Sequence, residues 1–256
     1  MVHPVTEAPS PPPAEPSKGP PPRTVLLIGG VILLAIVLMA VVATVLLRGW
    51  DRHGGGPAQV DHVVSGPVNG RSDAQFDLVK GATAVAVQGA DLGDRLYRVT
   101  GSDDGDHTPT VADAGNLVQV TSVGNSSAII VELNRDVTWR IRIVDGASSE
   151  NLDLRTLKIS GVEIIGGAAS VDLRLPAAHG SVPVRMSGGI NQFAIHRPSG
   201  IPVRVRAGGG AGNVTIDGQQ HGGVAGGSTF ASGGWDTATD KYDVDCTAGV
   251  STVTVD

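Results

Sequence analysis

From Gly166 onward the chain returns, at a fixed interval, to short alternating strands set behind glycine corners. Residues 167–176 read GAASVDLRLP, 189–198 GINQFAIHRP, 210–218 GAGNVTIDG and 248–256 AGVSTVTVD; the first three begin about 21 or 22 residues apart. Matching second strands, SVPVRM at 181–186 and IPVRVRA at 201–207, lie between them. A unit of this size exposes its edges and cannot bury its apolar face alone, so neighbours must stack. Glycine at the corners supplies positive φ at little steric cost. The pattern predicts an all-β, β-solenoid or β-helix-like stack of arches; an ordinary hairpinned β-sandwich is the competing reading.

Successive side chains of a strand point to opposite faces. That period places Val171, Leu173 and Leu175, then Val182, Val184 and Met186, then Phe193, Ile195, Val203, Val205, Val214 and Ile216 inside. Asp172, Arg174, Arg185, His196, Arg204, Arg206 and Thr215 fall outside. Upstream, Val137, Trp139, Ile141 and Ile143 alternate with Thr138, Arg140 and Arg142, the mark of a half-buried strand. Aromatics make up only 3% of the chain, so the core must be built from Val, Ile, Leu and Ala in narrow layers. Residues 219–234 break the repeat and read as a loose excursion. The last strand, 250–255, reads as a cap on the stack.

Residues 24–47 hold the uncharged run VLLIGGVILLAIVLMAVVATVLL behind Thr24. At about 1.5 Å per residue this crosses a hydrocarbon core of about 30 Å with some tilt. The run predicts a single transmembrane α-helix whose partner is the lipid bilayer. A cleaved signal peptide competes, but the run exceeds the usual h-region of about 7–15 residues. Before it, residues 1–23 carry nine prolines and read as a disordered tail. Residues 48–74 read as a juxtamembrane linker and 75–256 as the β-domain. Lys18 and Arg23 before the helix balance Arg48 and Arg52 after it, so flanking charge does not orient it. The short tail and the large Thr-, Ser- and Gly-rich domain place the N-terminus in the cytoplasm and the domain outside the cell membrane.

Beyond residue 47 the chain has 17 basic and 23 acidic residues, which argues against a nucleic-acid partner. No metalloprotease helix motif, nucleophile elbow or phosphate loop occurs. The acidic loop 102–107 lacks the spacing of a calcium loop and reads as a solvated turn. No catalytic residue, cofactor or metal ligand is therefore assigned. Cys246 is the single cysteine; it reads as a structural thiol in the last strand pair, with an intermolecular disulfide as the alternative. Residues 136–206 carry 9 basic against 6 acidic residues. Arg174, Arg185, Arg204 and Arg206 fall on outward positions of successive strands, and arginine forks match phosphate and carboxylate. These four form a candidate anion-binding surface for an anionic cell-wall polymer or lipid headgroups. The competing reading is a solvated face paired with neighbouring carboxylates.

The glycine-punctuated ladder and the ending DCTAGVSTVTV at 245–255 resemble the C-terminal β-domains of bacterial envelope proteins, the putative-adhesin and LiaF-like group. The segments ADLGDRLYRV at 90–99 and LNRDVTW at 133–139 are similar to single-pass actinobacterial membrane proteins of that kind. The resemblance implies a stress-sensing, scaffolding or adhesion-like role in the envelope, with a membrane protein there as a partner. One helix rather than several departs from the LiaF type and sets aside direct inhibition of a membrane kinase. A β-helical carbohydrate-active enzyme is the alternative from a different class, and two convergent carboxylates in a groove would favour it.

Overall fold

The computed structural model describes residues 62–80, 82–101, 109–122 and 128–256. The expected tail, spanning helix and acidic loop lie outside these residues. Among the described residues no helix is long and apolar enough to cross a membrane; every regular element there is a strand.

In chain order the strands are β1 (His62–Pro67), β2 (Asp73–Lys80), β3 (Ala84–Ala90), β4 (Arg95–Gly101), β5 (Pro109–Ala114), β6 (Leu117–Ser122) and β7 (Ala128–Asn134). Then come β8 (Thr138–Ile143), β9 (Ala147–Asp153), β10 (Lys158–Ile164), β11 (Ala168–Arg174), β12 (Ser181–Met186) and β13 (Ile190–His196). Last are β14 (Val203–Ala207), β15 (Ala211–Ile216), β16 (Gln219–Val224), β17 (Ser228–Ala231), β18 (Lys241–Cys246) and β19 (Val250–Val255). They form two sheets, ordered β1-β4-β7-β3-β9-β11-β13-β19-β15-β16 and β17-β14-β18-β12-β10-β8-β2-β6-β5.

The inner rungs pair in parallel. In the first sheet β11 lies parallel to β9 and β13; in the second, β10 lies parallel to β8 and β12. A hairpinned sandwich would run antiparallel, so the stacked reading holds. All twelve side chains assigned inward from the repeat are buried between the sheets. The register keeps like with like: Val171 faces Phe193, which faces Val253, which faces Val214. The largest buried groups are also satisfied. Trp139 Nε1 donates to the Asn134 carbonyl at 2.9 Å, and the Tyr242 hydroxyl donates to the Pro176 carbonyl at 2.9 Å.

The corners explain the glycines. A Cβ built on Gly188 would collide with the Gly166 carbonyl, and one on Gly146 with the Gly167 carbonyl. The backbone of each rung rests directly on that of the next at these points, and a side chain would wedge them apart.

Chain order and stacking order differ at both ends. The sequence reading makes the final strand a cap; the structure overturns this. β19 lies parallel between β13 and β15, and β18 parallel between β12 and β14. The physical reason is that this rung is apolar on its inner face along its whole length. Tyr242, Val244, Cys246, Val250, Val253 and Val255 are all buried, a pattern suited to a place with neighbours on both sides. The end is covered instead by the excursion, which is ordered: β16 and β17 run antiparallel to β15 and β14. The QQHGGV of β16 carries too little apolar surface for an inner rung and is exposed or half-exposed throughout. At the other end the rung β2/β3 is likewise inserted, between β6/β7 and β8/β9. There the antiparallel strands β4 and β5 cover the stack, with β1 outside β4. β1 falls within the stretch expected as linker; its ladder to β4 carries the sheet back to His62.

Cys246 sits wholly inside, and burial pushes its thiol up to about 12. So little thiolate at neutral pH suits the structural thiol rather than an exchangeable intermolecular disulfide.

Candidate functional site

The outer face of the second sheet is where the arginines gather. Residues at matching positions of adjacent strands form rows across it. One row runs Asp77, Arg142, Glu163, Arg185, Asp245, Arg206, each in register with the next. Its charges alternate strictly in sign. Rungs lie about 4.8 Å apart, so an uninterrupted column of arginines would repel; the acidic residues fall between them. The inserted strand β18 does this for the C-terminal half, since Asp243 and Asp245 separate β12 from β14.

The bonding follows the rows. Arg142 reaches Asp77 on one side and Glu163 on the other, at 2.9 Å each. Arg204 holds Asp243 with two bonds of 2.9 and 2.6 Å, and these raise its pKa further above the usual guanidinium range. Arg206 meets Asp245 at 3.4 Å. Arg204 also lies 3.8 Å from the centre of the Trp235 ring, and the Lys241 ammonium lies 4.4 Å from it. Trp235 is held in turn by its Nε1 donating to the Tyr242 carbonyl at 3.0 Å.

The four arginines singled out from sequence therefore do not form one stripe. Arg185, Arg204 and Arg206 share the outer face of the second sheet, whereas Arg174 belongs to β11 in the first. There it bonds Asp172 at 3.0 Å and Asn151 at 3.4 Å. Among the described residues only Arg185 of the four is in no ion pair. The period of two identified the outward positions but not which sheet each strand joins. Trp235 was not singled out as a partner of Arg204; a lone tryptophan in a glycine-rich excursion was its only sequence signal.

Exposed pairs of this kind contribute little each, about 0–1 kcal/mol. Replacing Arg206 by Ser is expected to lower stability by no more than about 0.5 kcal/mol. Arg204→Ser, which also gives up the Trp235 contact, is expected to cost about 1 kcal/mol more than that. Urea titrations of the two variants check this; equal losses would remove Trp235 from the account.

A model of the N-terminal domain of toast_rack, DUF2154, matches residues 98–196. The match runs from within β4 to the last residue of β13, and so leaves out both inserted rungs. No curated protein sequence matches the chain significantly. Among solved structures, the chain is similar to a putative cell adhesion protein from Clostridium sporogenes, with a TM-score of 0.57 at 15% identity. That alignment covers 78% of this chain and all of the other. A putative adhesin from Bacteroides fragilis aligns over 79% of this chain and all of its own, at 10% identity and a TM-score of 0.30. The second score is too low to bear on the fold; the first supports the two-sheet stack. With the toast_rack N-terminal domain at residues 98–196 and this fold, the chain resembles the putative-adhesin, LiaF-like group of β-domains.

Proposed function

We propose that the chain is a membrane-anchored, non-enzymatic module of the cell envelope that binds or scaffolds through its β-stack. The observation that carries this reading is the likeness of fold to the Clostridium sporogenes putative cell adhesion protein along that protein's whole length. The toast_rack match supports it independently from sequence. The uncharged run 24–47 supplies the anchor in this reading, with the N-terminus in the cytoplasm and the β-stack on the far side of the membrane. The rigid face of the second sheet is then a surface presented to the envelope. An anionic wall polymer that meets it would engage Arg185 first, because that guanidinium has no carboxylate bonded to it.

Topology is the direct test. Alkaline phosphatase fused after Asp256 is expected to be active in intact cells, because it needs an oxidising compartment. An inactive fusion beside an active cytoplasmic reporter at the same position would reverse the orientation and overturn the reading.

A further inference from the structure

The C-terminal third of the stack carries an open cleft of about 410 Å³. That lies within the range of small-molecule sites, about 300–1,000 Å³. It opens where three parallel strands of the first sheet end side by side. Arg197 follows β13, Asp256 follows β19 and Asp217 follows β15. The segment leading into β14 supplies Ile201 and Pro202, and the end of β17 supplies Ser232. All of its lining residues lie beyond residue 196, outside the toast_rack match, so the cleft belongs to this chain's own C-terminal rungs.

The walls are fixed by backbone bonds. The Arg197 N–H donates to the Asp256 carbonyl at 2.9 Å, and the Asp217 N–H to the Val255 carbonyl at 3.0 Å. The Val203 N–H donates to the Ser232 hydroxyl at 2.9 Å, which ties the excursion to the rim. The side chains are placed as firmly. Arg197 bonds Asp217 at 2.5 Å and is only 6% exposed, with its buried Nε left without an acceptor. Asp256 is met by His196 Nδ1 at 2.5 Å. Asp217 and Asp256 remain substantially exposed, at 49% and 63%, so their other lone pairs face solvent.

We propose that this cleft is a binding site for an uncharged saccharide, a refinement that rests on the envelope-binding reading above. The chemistry selects the class. Asp217 is bonded to Arg197 and Asp256 to His196, so each carboxylate is already tied to its own partner rather than left as an acid–base pair, and the two exposed carboxylates at the rim disfavour a ligand anion. Carboxylates and serine hydroxyls accept hydrogen bonds from neutral hydroxyl groups. Ile201 and Pro202 offer a small apolar surface beside these acceptors, on which the C–H face of a sugar ring can rest.

The test uses the full chain in detergent, titrated by calorimetry with glucose, galactose, N-acetylglucosamine and its β1,4-linked dimer, with glucuronate as the charged control. At least one neutral sugar is expected to saturate in the millimolar range or below, and glucuronate to bind at least tenfold more weakly than that sugar. Ser199→Trp, which fills the cleft from its exposed rim, is expected to abolish binding. Asp256→Asn, which keeps the shape and removes a charged acceptor, is expected to weaken it about tenfold. Lys158→Gln, at the exposed start of β10, is expected to leave it unchanged. Failure of every neutral sugar to saturate, preference for glucuronate, or unchanged binding in folded Ser199→Trp or Asp256→Asn protein overturns the proposal. Co-sedimentation with washed envelopes separates the two levels. Wild-type sedimentation with an equally active Ser199→Trp variant sinks the cleft and keeps the envelope reading; wild type that fails to sediment sinks the envelope reading itself.

Discussion

Truncation after Asp240 is expected to abolish the cooperative fold, not merely to fray one end. The missing residues are β18 and β19, which pair on both sides within their sheets. Their loss removes six buried side chains from Tyr242 to Val255. At about 1.5–3 kcal/mol for each buried side chain this is about 10 kcal/mol or more. That is comparable to the whole stability of an ordinary domain, about 5–15 kcal/mol. It also leaves β12, β13, β14 and β15 each with an unpaired edge. The truncated chain is expected to show no sigmoidal thermal transition and rapid proteolysis. A terminal cap would have behaved differently, with the melt shifted a little and the inner rungs protected. A truncated chain that melts within a few degrees of the intact one would disprove the inserted position.

The second large effect concerns Glu150. It lies on β9 at an inward position, in register with Val85 and Val171, and is 1% exposed. Neither carboxylate oxygen has a hydrogen-bond partner. Burial pushes its pKa up to about 8 from 4.5. Below about pH 4.5 the group is neutral in both the folded and the unfolded chain, and its ionisation costs the fold nothing. Between about 4.5 and 8 the unfolded chain loses the proton while the folded chain keeps it, so stability falls as pH rises and levels off above about 8. The loss by pH 7 is of the order of 3 kcal/mol. Glu150→Leu removes the titration and the buried polar atoms together. At pH 7 it is expected to raise the melting temperature by about 5–10 °C and to flatten this part of the pH profile. Urea titrations at pH 5, 7 and 8.5 check it; parallel pH profiles for wild type and variant would show that the carboxyl is solvated after all.

How far the sequence reached can be followed residue by residue. Alternation fixed the inner and outer positions of β11 to β15, because in a half-buried strand the period of two has a single physical cause, burial of one face. Glu150 could have been found the same way, since it shares the parity of Leu152 and Leu154; its charge masked an inward position. The copy of the repeat at 248–256 was visible, but its place was not. Alternation is blind to which neighbour a strand chooses, and only the pairing of Asp243 and Asp245 against Arg185, Arg204 and Arg206 reveals it. That same blindness merged four arginines of two sheets into one stripe. The cleft at Arg197, Asp217 and Asp256 was illegible for a related reason: its three strand ends are neighbours only once β19 has entered the stack.

The glycine corners restrict how such a molecule can change over evolutionary time. Gly146, Gly166, Gly188 and Gly209 form a column in which each presses on the backbone of the neighbouring rung, with no room there for a side chain. A single inserted or deleted residue within a rung would shift one corner out of this column and reverse the facing of every residue up to the next corner. Growth by a whole rung, about 21 residues with its own glycine, leaves the column intact. Lineages of this fold should accordingly differ by multiples of that length in their inner rungs, while single-residue indels accumulate in the strands and turns that cover the two ends.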